Sequence, residues 1–158
     1  MKRTRPVHRP GLDEDRPADA SLLRYIESSA LVAAILERDA EALVQIREIG
    51  RRVTSALTLA EAERAVIRAR AAGRLGLREE RSALRDFQRF ARRCSIISVT
   101  ADILTRAGRP FPVEPVRTLD AIHLATIELM GETPQLVTVV TRDERVARNA
   151  RAFGYAVA

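Results

Sequence analysis

Short apolar runs alternate along the chain with longer segments in which apolar residues recur every three or four positions. The runs are typical of buried strands, and the spacing in the longer segments is typical of helices with one buried face. Strands are predicted at 22–27, 51–57, 95–99 and 135–141, with a short edge strand at 155–158. Helices are predicted at 29–37, 40–49, 58–72, 78–92, 101–107, 119–130 and 144–153.

This alternation of strands and helices predicts an α/β fold. Parallel strands that follow one another need crossover connections, which are right-handed and place helices on both faces of the sheet. A chain of 158 residues with 46% hydrophobic composition is large enough to bury one contiguous core. The expected architecture is therefore a three-layer α/β/α fold around a mainly parallel sheet of four to five strands.

The start of the chain has neither apolar pattern. Pro6, Pro10 and Pro17 interrupt any helix there, and arginine, aspartate and glycine fill the spaces between them. We predict a disordered N-terminal arm over residues 1–20 and one folded domain over residues 21–158. An unstructured extension explains the arm by itself, and contact between its arginines and nucleic acid is the alternative.

The charge of the chain favours a polyanionic partner. The formal net charge is +6 and the isoelectric point is about 10.8, so phosphate-bearing ligands are attracted to the surface. Lys2 is the only lysine, and an arginine-rich genomic composition explains part of this charge. Aromatic residues make up only 4% of the chain, which argues against a base-stacking surface. A nucleic-acid partner would be recognised through phosphate and shape.

Cysteine usage and hydropathy limit where the protein works. Cys94 is the only cysteine, so no internal disulfide can form, and we expect a small buried thiol in a reducing compartment. No run of 18 apolar residues is present, and the basic N-terminus is not followed by the apolar segment of a signal peptide. These features predict a cytoplasmic protein without a membrane-spanning helix.

Four acidic side chains are placed at or just past predicted strand ends, or in the first turn of the helix that follows. The carboxyl ends of parallel strands meet at one edge of the sheet, so these carboxylates are expected to converge there. Their mutual repulsion is offset when a hard divalent cation binds their oxygens. The pattern predicts a site for Mg²⁺ or Mn²⁺. The four residues are Glu27, Glu61, Asp120 and Asp143.

Helix capping offers a structural alternative for some of these positions. Thr58 and Glu61 have the spacing of a capping box. Thr141 and Glu144 have the same spacing, next to Asp143. The hydroxyls of Ser29 and Thr141 suit either helix capping or hydrogen bonds to a carboxylate, a water or a phosphate.

Two further polar residues lie close to these acids in the sequence. His123 follows Asp120 by three positions, on the same helical face, and a buried hydrogen-bonded histidine is the preferred interpretation over a metal ligand. Glu63 follows Glu61 by two positions, about 200° around the helix, and is expected to point away from the site.

Four sequence segments also match, in order and spacing, the motifs of a known family. From about Leu22 to Val157 the chain resembles the PIN-domain ribonucleases, most closely the VapC-type toxins of toxin–antitoxin pairs. The segments are YIESSALV for the opening strand with its Asp-Thr/Ser-Ser signature, VTSALTLAEAERA for the Ser/Thr-x-x-Glu helix, RTLDAIHLATI for the Leu-Asp-Ala-x-His-Leu-Ala helix, and LVTVVTRDERVARNARAFGYAV for the Thr-x-Asp segment.

The resemblance implies a PIN-like fold and a Mg²⁺- or Mn²⁺-dependent endoribonuclease. Glu27, Glu61 and Asp120 would be catalytic metal ligands, directly or through water, and Asp143 would complete the acidic pocket. Metal-activated water would hydrolyse the RNA phosphodiester bond. A cognate antitoxin would inhibit the protein, and a homodimer is expected from the same resemblance and from the apolar helices of the first half.

Glu27 departs from the family pattern, which usually has aspartate at this position. The extra methylene changes how the carboxylate reaches Mg²⁺, which requires near-ideal octahedral geometry. The alternative function is therefore a non-catalytic or attenuated PIN-like module that binds RNA or protein. A phosphoacceptor domain is a weaker rival, because that chemistry needs a lysine near the last strands and Lys2 lies in the arm.

Overall fold

A computed structural model describes residues 22–158 and contains one sheet of five parallel strands. The strand order is β3-β2-β1-β4-β5, so the first strand lies at the centre. Each crossover between neighbouring strands carries at least one helix. The strands are β1 (Leu23–Ile26), β2 (Arg51–Ser55), β3 (Ser95–Ile97), β4 (Val137–Val140) and β5 (Ala156–Val157).

Within residues 22–158, seven helices cover the two faces of the sheet. The first four pack with one another on one face, and the last three pack together on the other. The predicted three-layer α/β/α architecture is confirmed. The helices are α1 (Ser28–Ile35), α2 (Ala40–Arg47), α3 (Ala56–Ala71), α4 (Leu77–Ala91), α5 (Ala101–Ala107), α6 (Thr118–Leu129) and α7 (Glu144–Ala152), with a 3₁₀ turn at Pro134–Leu136.

The central strand β1 is buried along its whole length, because helices cover both of its faces. Tyr25 points into the core beneath α5, α6 and α7, whereas Ile26 points into the core beneath α1 to α4. In register, Tyr25 lies beside Val53 of β2 and Val139 of β4. This burial explains why the strand is a continuous apolar run apart from Arg24, which forms an ion pair with Glu48 at 2.8 Å.

Neither of the two alternative capping boxes forms. Strand β2 ends at Ser55, two residues earlier than predicted, and Ser55 caps α3 by accepting a hydrogen bond from the Leu57 backbone at 3.2 Å. Thr58 therefore lies inside the first turn of α3 and is buried. Helix α7 is capped by Asp143 rather than by Thr141. Glu61 has no capping role, so its side chain is available for other contacts.

The proline-rich segment between α5 and α6 is a loop, as predicted, and is fastened to α7. The side chain of Asn149, which is fully buried, accepts a hydrogen bond from Val113 N at 2.9 Å and donates to Val113 O at 2.9 Å. It also donates to Arg145 O at 3.0 Å. This clamp fixes the path of the loop that leads into α6, where Asp120 lies.

Three other predictions concern the N-terminal arm, the Cys94 thiol and membrane-spanning helices. The predicted arm, residues 1–20, lies outside the described residues. Cys94 is half-buried, and burial raises the pKa of its thiol to about 11, against the opposing positive charge of Arg52. Within residues 22–158, no helix has the length and apolar character needed to cross a bilayer.

Replacing the clamp residue tests how firmly the loop is held. In Asn149→Ala, the free energy of unfolding should fall by about 2 kcal/mol, since both backbone groups of Val113 lose their partner. Urea denaturation measures the change. Arg148→Ala, at an exposed position on the same helix, is the control and should stay within about 0.5 kcal/mol of the wild type. Equal stability of both variants would show that the loop does not depend on Asn149.

Candidate metal centre

The four predicted acids all lie at the carboxyl edge of the sheet. Glu27 follows β1 directly and caps α1, and Asp143 follows β4 and caps α7. Asp120 is the third residue of α6. Glu61 lies in the second turn of α3 rather than the first, because α3 begins at Ala56. Strand ends and helix starts therefore bring together residues that are far apart in the sequence.

The Glu27 carboxylate is buried, with 4% of the residue exposed, and is held by several donors. Its Oε2 accepts hydrogen bonds from Ser29 N at 3.0 Å, from Ser29 Oγ and from Thr141 Oγ1 at 2.7 Å. Its Oε1 accepts one from Ser28 Oγ at 2.6 Å. Three donors occupy Oε2, so only Oε1 keeps free acceptor capacity. Of the roles considered for Ser29 and Thr141, hydrogen bonding to a carboxylate matches these contacts.

Thr141 joins this network to Asp143. Its Oγ1 accepts a hydrogen bond from Asp143 N at 3.0 Å, in addition to donating to Glu27. Asp143 Oδ1 accepts from Arg145 N at 2.7 Å and from Val146 N at 3.3 Å, which is the geometry of a helix N-cap. One oxygen of Asp143 is therefore committed to α7, and its Oδ2 lies 3.9 Å from the Arg145 guanidinium.

His123 connects two of the carboxylates to the core. Its Nε2 lies 2.7 Å from Glu61 Oε2 and 3.6 Å from Glu27 Oε1, and the ligand atoms of these three residues all lie within 4.8 Å of one another. Its Nδ1 lies 2.9 Å from the Tyr25 hydroxyl. The prediction of a buried, hydrogen-bonded histidine is confirmed, and His123 also lies next to the carboxylates of Glu27 and Glu61.

Tyr25 is a member of the site that the sequence analysis did not identify. Burial raises the pKa of its phenol well above 10.0, and the negative charge of Glu27 raises it further. Hydrogen bonds with Thr126 and Ser55 oppose this rise. The phenol is therefore protonated at neutral pH. A signal was present in the sequence, because a tyrosine in a buried strand needs a partner for its hydroxyl.

Asp120 has the least satisfied carboxyl group of the site. Its Oδ2 is buried and finds no hydrogen-bond partner among the residues that the structure describes. Burial raises the pKa of this carboxyl, and the negative charges of Asp143 and Glu27 raise it further. A backbone hydrogen bond and the positive charge of Arg117 act in the opposite direction.

The carboxylate oxygens of this site fit a hard divalent cation. An orphaned carboxylate oxygen among like charges lacks a partner that a cation would supply. Glu27, Glu61 and Asp120 offer oxygen atoms, which suit Mg²⁺ and Mn²⁺. Glu63 is exposed, as predicted, and so does not line this group.

Comparison with known families agrees with this geometry. A family model described as the PIN domain matches residues 24–152. The chain belongs to the PIN domain family. This PIN domain is also 37% identical, over 137 residues, to Ribonuclease VapC35 of Mycobacterium tuberculosis, and the match covers 84% of this chain and 93% of that protein. The expected membership among VapC-type proteins is confirmed.

Solved structures share the architecture of the PIN domain. VapBC2 from Rickettsia felis, bound to a DNA fragment from its promoter, matches with a TM-score of 0.60 at 15% identity, over 87% of this chain and 98% of that chain. VapBC-5 from Mycobacterium tuberculosis, a member of the VapBC family of toxin–antitoxin systems, matches with a TM-score of 0.55 at 20% identity, over 86% and 95%. At such identities the likeness shows a common fold alone.

Neutralising Asp120 should stabilise the metal-free protein. The raised pKa means that the folded state disfavours the charged carboxylate, so Asp120→Asn should have a higher Tm than the wild type at pH 7 in the presence of a chelator. The gain should be absent below the ordinary pKa of 3.8, should grow as the pH rises towards the raised pKa, and should be constant above it. Thermal unfolding between about pH 3 and pH 8 measures this profile.

The matched control removes an acidic charge from the first turn of another helix. Asp102 is exposed near the start of α5, where it interacts favourably with the helix dipole. Asp102→Asn should therefore leave the Tm unchanged or slightly lower it. A lower Tm for Asp120→Asn at pH 7 would contradict the electrostatic account of the site.

Proposed function

We propose that this protein is a metal-dependent endoribonuclease and the toxin of a toxin–antitoxin pair, acting in the cytoplasm on RNA phosphodiester bonds. The supporting observation is the pair of carboxylates Glu27 and Glu61, whose ligand atoms lie within 4.8 Å of each other and of His123, beside Asp120, whose Oδ2 is buried and has no partner among residues 22–158. The name of VapC35, a ribonuclease, supports the same reaction class. The net charge of +6 favours RNA as the substrate.

The metal ligands that we propose are the four acids. Asp120 offers Oδ2, Glu27 offers Oε1, and Glu61 lies within 4.8 Å of Glu27, whereas Asp143 joins the set through its charge, which acts on Asp120. A bound cation supplies an activated water and neutralises charge on the phosphate. Ser28, Ser29 and Thr141 hold the Glu27 carboxylate in place, and the hydroxyls of Ser29 and Thr141 lie beside the acidic edge, where a phosphate oxygen would arrive.

Glu27 is the residue on which the level of activity depends. Its longer side chain turns back onto Ser29 N, and three donors hold Oε2. A single carboxylate oxygen is left for the cation, which supports a ribonuclease of reduced activity as the second candidate. In its extreme form this candidate is a PIN-like module that binds RNA or protein without cleavage.

Metal-dependent cleavage is the direct test. Single-stranded and structured RNA should be cleaved with Mg²⁺ or Mn²⁺, and cleavage should stop in a chelator. Asp120→Asn should slow cleavage by about 100-fold or more, because charge stabilisation worth several kcal/mol is lost. Glu61→Gln should act in the same direction. Glu63→Gln removes the same charge from an exposed position two residues away and should leave the rate unchanged.

Glu27→Asp separates the two candidate functions. The shorter side chain restores the usual carboxylate of the family, so faster cleavage than wild type would show that the natural site is attenuated. Unchanged cleavage in Asp120→Asn would contradict a role for the acidic group. If no RNA is cleaved in a metal-dependent way while partner binding is intact, the protein is the non-catalytic PIN-like binding module.

We propose that the antitoxin binds a groove between α1, α2 and α4. The floor of this groove is apolar and its rim carries arginines, so a segment that combines apolar and acidic side chains fits it. The apolar lining residues are Leu31, Ala34, Ile35, Leu43, Ile46 and Phe90, and the charged ones are Arg38, Arg47, Arg52, Arg89 and Arg93 together with Asp86.

Reversing the charge of the rim tests this surface. The double substitution of Arg47→Glu with Arg93→Glu should weaken binding of the antitoxin encoded beside this gene by about tenfold or more at low salt, with a smaller loss at high salt. Calorimetry or biolayer interferometry measures the affinity. Arg148→Glu, on α7 in the opposite helical layer, is the control. Equal losses in both variants would reveal a general charge effect.

The homodimer stays a prediction. Large apolar side chains are exposed on helices of the domain, including Ile67, Leu77 and Leu104. Exposed apolar groups of this kind favour association with a second copy or with another protein.

A further inference from the structure

The ring of His123 is fixed from both sides. Its Nδ1 lies 2.9 Å from the Tyr25 hydroxyl, and its Nε2 lies 2.7 Å from Glu61 Oε2. His123 is 1% exposed and Tyr25 is fully buried, so neither group can exchange its partner for bulk water. Both ring nitrogens are therefore engaged within the protein.

The partner of Nε2 decides where the hydrogen lies. An ionised carboxylate has only acceptor sites, so a contact of 2.7 Å with Glu61 requires a hydrogen on Nε2. This hydrogen is present in the neutral ring whose Nδ1 accepts from Tyr25, and it is also present in the doubly protonated ring. In both forms Nε2 has no free lone pair to offer to a cation.

We propose that His123 is a positioning residue: its Nε2–H aims the Glu61 carboxylate at the cation, Tyr25 fixes the plane of the ring, and carboxylates alone bind the metal. This inference rests on the proposed metal-dependent function. Ligand atoms of Glu27, Glu61 and His123 lie within 4.8 Å of one another. In this proposal they are close because His123 supports the carboxylates by hydrogen bonding, and not because all three residues bind the metal. Outer partners of this kind orient metal ligands and influence the affinity of the site.

The role of Tyr25 follows from its place in the fold. It lies two residues before Glu27 on the central strand, so its hydroxyl reaches beneath the acidic edge from within the core. Its ring meets the His123 imidazole edge to face, with an angle of 76° between the planes. The phenol thus ties the imidazole of α6 to the central strand, and through it the Glu61 carboxylate of α3.

Metal selectivity distinguishes a supporting histidine from a metal ligand. A site made of oxygen ligands suits Mg²⁺ and Mn²⁺, whereas an imidazole ligand shifts preference towards later transition metals such as Zn²⁺. If His123 is a support, its loss should weaken both Mg²⁺ and Mn²⁺ binding by a similar factor. If it is a ligand, its loss should weaken Mn²⁺ binding more than Mg²⁺ binding.

Two substitutions at this position separate the possibilities. The amide nitrogen of His123→Gln reaches about as far as Nε2 and still donates to Glu61, whereas His123→Leu removes the donor at similar volume. We expect His123→Gln to bind Mg²⁺ within about threefold of wild type and His123→Leu to bind it about 10- to 100-fold more weakly. Calorimetry gives both constants, and Tm values report folding. Full affinity in a folded His123→Leu would reduce His123 to a core residue, and an equal loss in both variants, larger for Mn²⁺, would make it a ligand.

A spectroscopic test keeps the proposal open to refutation if His123→Leu fails to fold. The chain has two histidines, His8 and His123, so His8→Gln leaves a single imidazole. Long-range ¹H–¹⁵N spectra should show a hydrogen on Nε2 without metal and with saturating Mg²⁺. A hydrogen on Nδ1 alone, or loss of the Nε2 hydrogen when Mg²⁺ binds, would overturn the proposal. Failure of Mg²⁺ to bind at all, with the Nε2 hydrogen present, would contradict the proposed function and leave the His123–Glu61 contact standing.

Discussion

The buried carboxylate of Glu27 is the interaction on which the arrangement of this edge depends. It caps α1 through Ser29, binds Thr141 at the end of β4, and lies 3.6 Å from His123 of α6. The Glu27 carboxylate thus connects the central strand β1 to α1, to the end of β4 and to α6. A buried charge is costly unless it is hydrogen-bonded, and here four donors satisfy it.

The site combines satisfied and unsatisfied carboxylates. Glu27 and Asp143 use their oxygens to fasten helices to strand ends, whereas Asp120 keeps a buried oxygen without a partner among residues 22–158. The first two therefore stabilise the framework, and the third is held at a cost in stability beside like charges. This combination is expected at a binding site: hydrogen-bonded carboxylates keep the surrounding fold rigid, and one carboxylate oxygen gains a partner only when a ligand binds.

The sheet and the loops make this arrangement possible. Apolar cores on both faces hold β1 and β4 in register, with Tyr25 beside Val139, so Glu27 and Thr141 meet at the same edge. On the far side of the site, the Asn149 clamp sets the path of the loop that enters α6. The carboxylates are thereby carried by rigid elements, although they come from distant parts of the sequence.

Apolar periodicity in the sequence determined the helices, the strands and the three-layer arrangement, because strand and helix patterns follow from which faces must be buried. The residues Glu27, Glu61, Asp120 and Asp143 were identified from strand ends and family motifs. The capping alternatives at Thr58 and Thr141 did not form: β2 pairs with β3 as far as Ser55, which then caps α3, and Asp143 caps α7. Only the tertiary structure decided that His123 contacts Tyr25 through Nδ1 and Glu61 through Nε2, since these contacts join residues 98 and 62 positions apart and depend on how β1, α3 and α6 pack.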